Sequence, residues 1–166
     1  MNQNLLKQLI KEEFISILGE DEQQQQQQEP KKKKNISYTG LVLFQESHNL
    51  LISRFKESDW ESIAHHATIN LGPYKGSEKL LGQEFDIVVD SFMKDDVISA
   101  VSVKLPTEIN GKENPHITIA VNREGGGKPQ MSNNLNWSQA ESVEPMILKT
   151  KLLEVKQGEN RFADDY

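Results

Sequence analysis

The 166-residue sequence predicts an α+β fold built on an antiparallel sheet. Two observations carry that prediction. Six short stretches rich in Val, Ile, Leu, Thr and Phe follow one another between Tyr38 and Val155, and a single clear helical pattern interrupts them. Few of the connections hold a long helical pattern, so neighbouring strands are expected to return antiparallel rather than cross over in parallel.

The elements follow in order. "YTGLVLF" (38–44) reads as a strand, and "ESHNLLISRFK" after it reads as a helix with Leu50, Leu51 and Phe55 on its apolar face. "HHATINL" (65–71) is a second strand, closed by the breaker pair Gly72-Pro73. "EFDIVVDSF" (84–92) and "DVISAVSVKL" (96–105) form a hairpin turning around Met93–Asp95. "HITIAVN" (116–122) and a last strand in "EPMILKTKLLEV" (144–155) complete the set. No internal repeat of fixed short period is present.

Outside this core the composition changes. Residues 1–34 begin with a stretch whose Leu5, Leu6, Leu9, Ile10, Ile17 and Leu18 suggest an amphipathic helix, followed by "DEQQQQQQEPKKKK". A glutamine tract, Pro30 and four lysines offer too little apolar surface to order themselves, so a flexible linker is expected. Lys31–Lys34 could touch RNA or act as an import signal, or simply be a solvated charge run. Residues 35–157 are the expected domain, and 158–166, "GENRFADDY" with Gln157 before it, are expected to be a frayed tail.

Composition narrows the function classes. The net charge of −6 gives no general case for duplex nucleic-acid binding, although an acidic protein can hold a phosphate in a locally basic cleft. Without cysteine there is no disulfide framework, no thiol nucleophile and no cysteine-based zinc site. No secretory segment and no apolar run of bilayer length is found, so a soluble cytoplasmic or nuclear protein, without membrane contact, is expected.

Chemistry concentrates in a motif that occurs twice. Strand side chains alternate, so His66, Thr68 and Asn70 share one face while His65, Ala67, Ile69 and Leu71 share the other. In the same way His116, Thr118 and Ala120 oppose Ile117, Ile119 and Val121. Each copy of His-x-Thr thus places an imidazole and a hydroxyl on the polar side of an apolar strand. Two imidazoles across a cleft can act as general base and general acid near neutrality, and two hydroxyls can donate to the oxygens of a phosphate between them. Such a set suits metal-free hydrolysis of a cyclic phosphodiester, with no cofactor. A two-histidine metal site is the competing arrangement, but Asp59, Glu61 and Glu113 fall in turns rather than at ligand spacing.

"HHATINLG" and "NPHITIAVN" resemble the paired motifs of the two-histidine (2H) phosphoesterase superfamily. "GGGKPQMSNNLNW" and "EPMILKTKLLEV" are similar to the stretch after the second motif in the cyclic phosphodiesterase domains of fungal-type tRNA ligases and related RNA-repair proteins. The likeness covers about residues 37–156. It implies a bilobal α+β fold, with antiparallel sheets flanking a central cleft and one motif strand per lobe. It also implies opening of RNA 2′,3′-cyclic phosphate ends, or of cyclic nucleotides, typically to a 2′-phosphate and a free 3′-hydroxyl. His66 and His116 match the catalytic pair, and Thr68 and Thr118 the phosphate-binding hydroxyls. The motif histidines lie only about fifty residues apart, which implies at least one trimmed lobe. No phosphate-binding loop and no ligase lysine motif is present, so sealing would need an RNA ligase or kinase on a separate chain.

Further candidates have two readings each. Lys128 in "REGGGKP" and Lys75 in "GPYKG" could reach a phosphate, and Tyr74 could stack on a base. The glycines before Lys128 fit an ordinary turn as well. His65 is expected to be a buried structural histidine, His48 exposed, and Trp137 a core or cleft-wall residue rather than a stacking platform. The alternative to an enzyme is a non-catalytic module that binds an RNA end or nucleotide and recruits a ligase. A monomer is expected.

Overall fold

The computed structural model describes residues 35–166. The amphipathic stretch from Leu5, the glutamine tract and Lys31–Lys34 lie outside the described residues.

Among the described residues the strands are β1 (Ile36–Leu43), β2 (Glu61–Ser62), β3 (His66–Leu71), β4 (Glu84–Lys94), β5 (Ile98–Lys104), β6 (His116–Val121) and β7 (Glu141–Lys156). The one α-helix, α1, spans Gln45–Phe55. Every strand pair is antiparallel. The order β6-β3-β1-β7-β4-β5 closes through a β5–β6 pairing into a six-strand barrel, with β2 as a short addition against β6. The fold class is therefore α+β, as the alternating stretches indicate.

The barrel is held by a core in which Leu41, Leu43, Ala67, Ile69, Ile87, Val89, Val101, Ile117, Ile119, Leu148 and Leu152 are buried together. Burying a Leu or Ile side chain contributes about 1.5–3 kcal/mol, which is the main force closing the ring. The helix joins this core through Leu51, fully buried, with Ile52 and Phe55 packed beside it. Leu50, expected on the apolar face, is instead 45 % exposed. Buried Ser47 and Leu51 and half-buried Ile52 and Phe55 trace one helical stripe, and Leu50 lies off it.

β4 runs to Lys94, past the expected strand end, and the hairpin turns after it. The Asp95 carboxylate accepts the backbone N–H groups of Val97 and Ile98, both at 2.8 Å, which fixes the turn two residues later than the alternation suggested. β7 begins at Glu141, earlier than expected. Its Pro145, which has no N–H to donate, lies between the β4 pairings Met146–Val89 and Ser142–Ser91, where the register shifts.

The alternation itself breaks once in each motif strand. Against β1, Asn70 pairs with Thr39 and Thr68 with Gly40, so Ile69 is an extra residue in β3. Against β5, Ala120 pairs with Ser99 and Thr118 with Ala100, so Ile119 is an extra residue in β6. Each bulge shifts the faces beyond it by one position. Leu71, assigned to the core face by strict alternation, is 71 % exposed. Val121 joins Ile98, Ala100 and Leu135 in a second cluster, while Ala120, assigned to the polar face, joins the main core.

The segment after β7 corrects the expected frayed tail. Ala163 is fully buried with Val42 and Val155. The Lys151 ammonium donates to the carbonyls of Ala163 at 3.1 Å and Tyr166 at 3.2 Å. The Asp164 carboxylate accepts the Gln45 N–H at 2.7 Å, capping the first turn of α1, whose own N-cap Phe44 has no side chain able to do so. Two apolar side chains and three polar contacts hold what composition alone marks as loose. No helix among the described residues is long and apolar enough to cross a membrane.

Candidate functional site

The pairing of Ala67 with Ile117 sets the site. Antiparallel strands paired at those positions place His66 across from Thr118 and Thr68 across from His116. The flanking segment follows the same course: Ile63 N–H donates to Ile119 O at 2.7 Å and Ala64 N–H to Thr118 O at 2.9 Å. His66, Thr68, His116 and Thr118 line one cleft of about 370 Å³, together with Tyr38, Leu71, Lys112 and Ser132 among others. The structure brings these four side chains to one cleft.

His66 is the more enclosed of the pair. Its ring stacks on Tyr38, with centroids 4.2 Å apart, and the Tyr38 hydroxyl lies 3.1 Å from its Nδ1. The close approach needs Gly40 beneath: a Cβ there would lie 3.0 Å from the Ala67 carbonyl and 3.2 Å from the Tyr38 ring. On the other side His65 Nδ1 is 3.0 Å from His66 Nδ1. Burial, then repulsion from His65, His116 and Lys112, pushes the His66 pKa down to about 3, so the ring stands neutral.

His116 is held at both nitrogens. Its Nδ1–H donates to the Asn114 carbonyl at 2.9 Å, and Nε2 lies 3.1 Å from Ser132 Oγ. Ser132 is only 2 % exposed, donates to the Pro129 carbonyl at 2.8 Å, and sits 2.8 Å from Thr118 Oγ1. Burial lowers the His116 pKa, the bond to the Asn114 carbonyl opposes this, and Lys112 lowers it further. Trp137 stands beside the ring at 5.4 Å and packs toward Ile98, Ala100, Val121 and Leu135, and it lines a neighbouring cavity with Asn114 and Pro115 rather than the cleft itself.

The expected phosphate cation is displaced. Lys128 is exposed and is not among the cleft-lining side chains, although Pro129 after it is. The glycines before it make a tight turn: a Cβ on Gly127 would lie 2.4 Å from the Val97 carbonyl. Lys112 takes that place, lining the cleft with its ammonium 3.5 Å from Asn133 Oδ1. Tyr74 and Lys75 line a neighbouring cavity of about 240 Å³ that shares Lys112 with the main cleft, and Tyr74 is half-buried against the core.

Tyr38, Lys112 and Ser132 were not singled out from the sequence. Lys112 and Ser132 flank the second motif in turns, where lysine and serine are ordinary. Only Tyr38 carried a signal, as the one aromatic ring in the first half of β1, two residues before a glycine.

His65 is buried, as expected, and His48 is not free. The His48 Nδ1–H donates to the Ala64 carbonyl at 2.8 Å, and Phe162 packs 4.7 Å from its ring. Among the described residues no three His, Asp or Glu side chains converge in a metal-ligand cluster. Chemically the cleft offers two imidazoles, the hydroxyls of Ser37, Tyr38, Thr68, Thr118 and Ser132, and one ammonium. Compared with known families and curated proteins, the chain matches no family model and no curated sequence.

Proposed function

We propose that this protein is a metal-independent 2′,3′-cyclic phosphodiesterase acting on RNA ends, a trimmed relative of the two-histidine phosphoesterases. One observation carries the reading: both His-x-Thr motifs line a single cleft from neighbouring antiparallel strands. In this reading β3 with β1 and β7 is one lobe, β6 with β5 and β4 the other, each supplying one motif strand.

The chemistry follows from the groups. A cyclic phosphate monoanion is drawn to Lys112, and Thr68 and Thr118 donate to its non-bridging oxygens, where charge grows in the transition state. One histidine takes a proton from the attacking water as its oxygen bonds to phosphorus. The other gives a proton to the ribose oxygen whose bond to phosphorus breaks. The product is a phosphomonoester and a free hydroxyl, and solvent restores both rings. The bound anion favours the charged forms, raising pKa values that the free cleft holds low. Ser132 Oγ occupies the position at His116 Nε2 that a substrate oxygen would replace. RNA ends are taken as the substrate because the motif stretches resemble RNA-repair domains, and a ligase on a separate chain, in the cytoplasm or nucleus, would then seal the product.

The test is turnover of a nucleoside 2′,3′-cyclic phosphate by the purified full chain, with the product identified by chromatography. Formation of a 2′-phosphate by wild type, lost in H66A and H116A, supports the proposal. A folded wild type that leaves the substrate intact sinks it.

A further inference from the structure

His65 is a buried imidazole, 3 % exposed, that the reaction outlined above does not use. Its Nε2 lies 2.8 Å from the backbone carbonyl of Arg161, in the segment after β7. A carbonyl only accepts, so His65 Nε2 carries the hydrogen. Burial opposes a second proton on the ring, and so does the charge of His48, while the bond to Arg161 favours one. In the neutral ring Nδ1 is then a lone pair.

His66 Nδ1 faces that lone pair at 3.0 Å. Two lone pairs at this distance repel, so His66 Nδ1 must carry a hydrogen and donate it to His65. The Tyr38 hydroxyl oxygen, 3.1 Å from the same nitrogen, lies close enough to share it. A neutral imidazole has one N–H, and His66 Nε2 is therefore left bare. Among the described residues no side chain or backbone group hydrogen-bonds to it. His116 contrasts, with an oxygen at each ring nitrogen able to accept from a doubly protonated ring.

We propose that His65 is a positioning residue: anchored on the Arg161 carbonyl, it holds His66 in the tautomer that presents Nε2 as general base, leaving His116 as the acid. The assignment of roles rests on the cyclic phosphodiesterase reading; the tautomer does not. It also couples the segment 157–166 to the cleft. That segment is pinned by buried Ala163, by Lys151 and by the Asp164 cap on α1, and Phe162 packs 5.4 Å from the His65 ring. The titratable groups around the pair are His48 from α1, Tyr38 from β1, His116 from β6, and Lys112 from the β5–β6 connection.

The first measurement is a long-range proton–nitrogen correlation spectrum of the histidine-labelled full chain near neutral pH. It should show His65 protonated at Nε2 and His66 protonated at Nδ1 only. A His66 protonated at Nε2 overturns the inference, whatever the activity. The second compares His65→Leu, which removes the acceptor, with His65→Asn, whose side-chain oxygen can still accept from His66. In folded protein H65L should lose about a hundredfold in kcat with little change in KM, the scale of a mispositioned acid–base group. H65N should recover most of that loss. An H65L variant that folds and turns over like wild type overturns the proposal. If H65L does not fold, the wild-type spectrum decides alone. Wild type without turnover would instead sink the phosphodiesterase reading and leave the tautomer pattern standing.

Discussion

Ala64 and Asn114 hold equivalent places before the two motif histidines. Each lies two residues upstream of its histidine, each has a left-handed backbone with φ of 36° and 55°, and each offers its carbonyl to a histidine Nδ1–H. Neither is glycine, so each stores strain on the order of 1–3 kcal/mol. The bends they make let β3 and β6 meet at Ala67–Ile117 with both motifs on one side. Ala64→Gly should therefore be neutral or slightly stabilising, because strain relief offsets the entropy that glycine adds to the unfolded chain. Ala67→Gly, buried in a regular strand, should cost about 1 kcal/mol or more. Paired denaturant melts of the two variants check this, and equal losses would contradict it.

Truncating the cleft groups should separate them by role. His66→Ala and His116→Ala should each lower turnover of a cyclic nucleotide by at least about a hundredfold. Thr68→Ala and Thr118→Ala should cost less, up to roughly 3 kcal/mol of transition-state stabilisation. Steady-state kinetics on folded variants make the comparison.

The two lysines give a sharper contrast. Lys112→Ala removes the ammonium that lines the cleft and that pushes both His66 and His116 toward the neutral form. KM should rise several-fold, and the acid limb of the activity profile should move to higher pH. Lys128→Ala should change neither, since its side chain does not line the cleft.

Stability should fall with acid before any carboxylate matters. His65, His66 and His116 all bind protons less tightly in the folded protein than the ordinary 6.5, with His66 lowest at about 3. Below pH 6.5 the unfolded chain takes up more protons than the folded one. Their contribution is thus complete above about pH 6.5 and is lost as the pH falls toward the folded values. Asp90, Glu61 and Glu159, whose pKa values are also lowered, lose theirs only below their ordinary carboxylate range. Urea melts at pH 7.5, 6 and 5 should show a steady decline, and His66→Asn should flatten it. A flat wild-type profile would show that the rings are not held neutral.

Activity should be bell-shaped in pH, because one ring must be neutral and the other charged, and the two limbs belong to the coupled pair. Chelator should leave the rate unchanged. Loss of activity with EDTA, recovered by zinc or manganese, would recast the two histidines as metal ligands.

Much of this architecture was legible because alternation reports burial. β1, β3, β4, β5, β6 and β7 were each marked by a short run rich in Val, Ile, Leu, Thr or Phe, and the two His-x-Thr strands by the polar pair on one face of that run. The bulges at Ile69 and Ile119 were not, since an isoleucine reads the same whether it pairs or is the extra residue. Leu71, Ala120 and Val121 were assigned to the wrong faces as a result. Lys112 and Ser132 reach the cleft from turns, where no periodicity points at anything. Residues 158–166 looked loose because Phe162 and Ala163 are too few to announce a buried segment, and their partners His48 on α1 and Val42 on β1 lie more than a hundred residues back.

The placement of β7 has a consequence for synthesis. Its residues pair with β4 along one half and with β1 along the other, so it alone joins those two strands. Every other described strand precedes it in the chain. While a nascent chain leaves the ribosome, β1 and β4 must each wait with one edge unpaired, and with Leu41, Leu43, Ile87 and Val89 uncovered, until residues 141–156 emerge. Those edges and apolar faces are the kind that stick to other chains. A translational pause before residues 141–156 emerge would prolong that exposure.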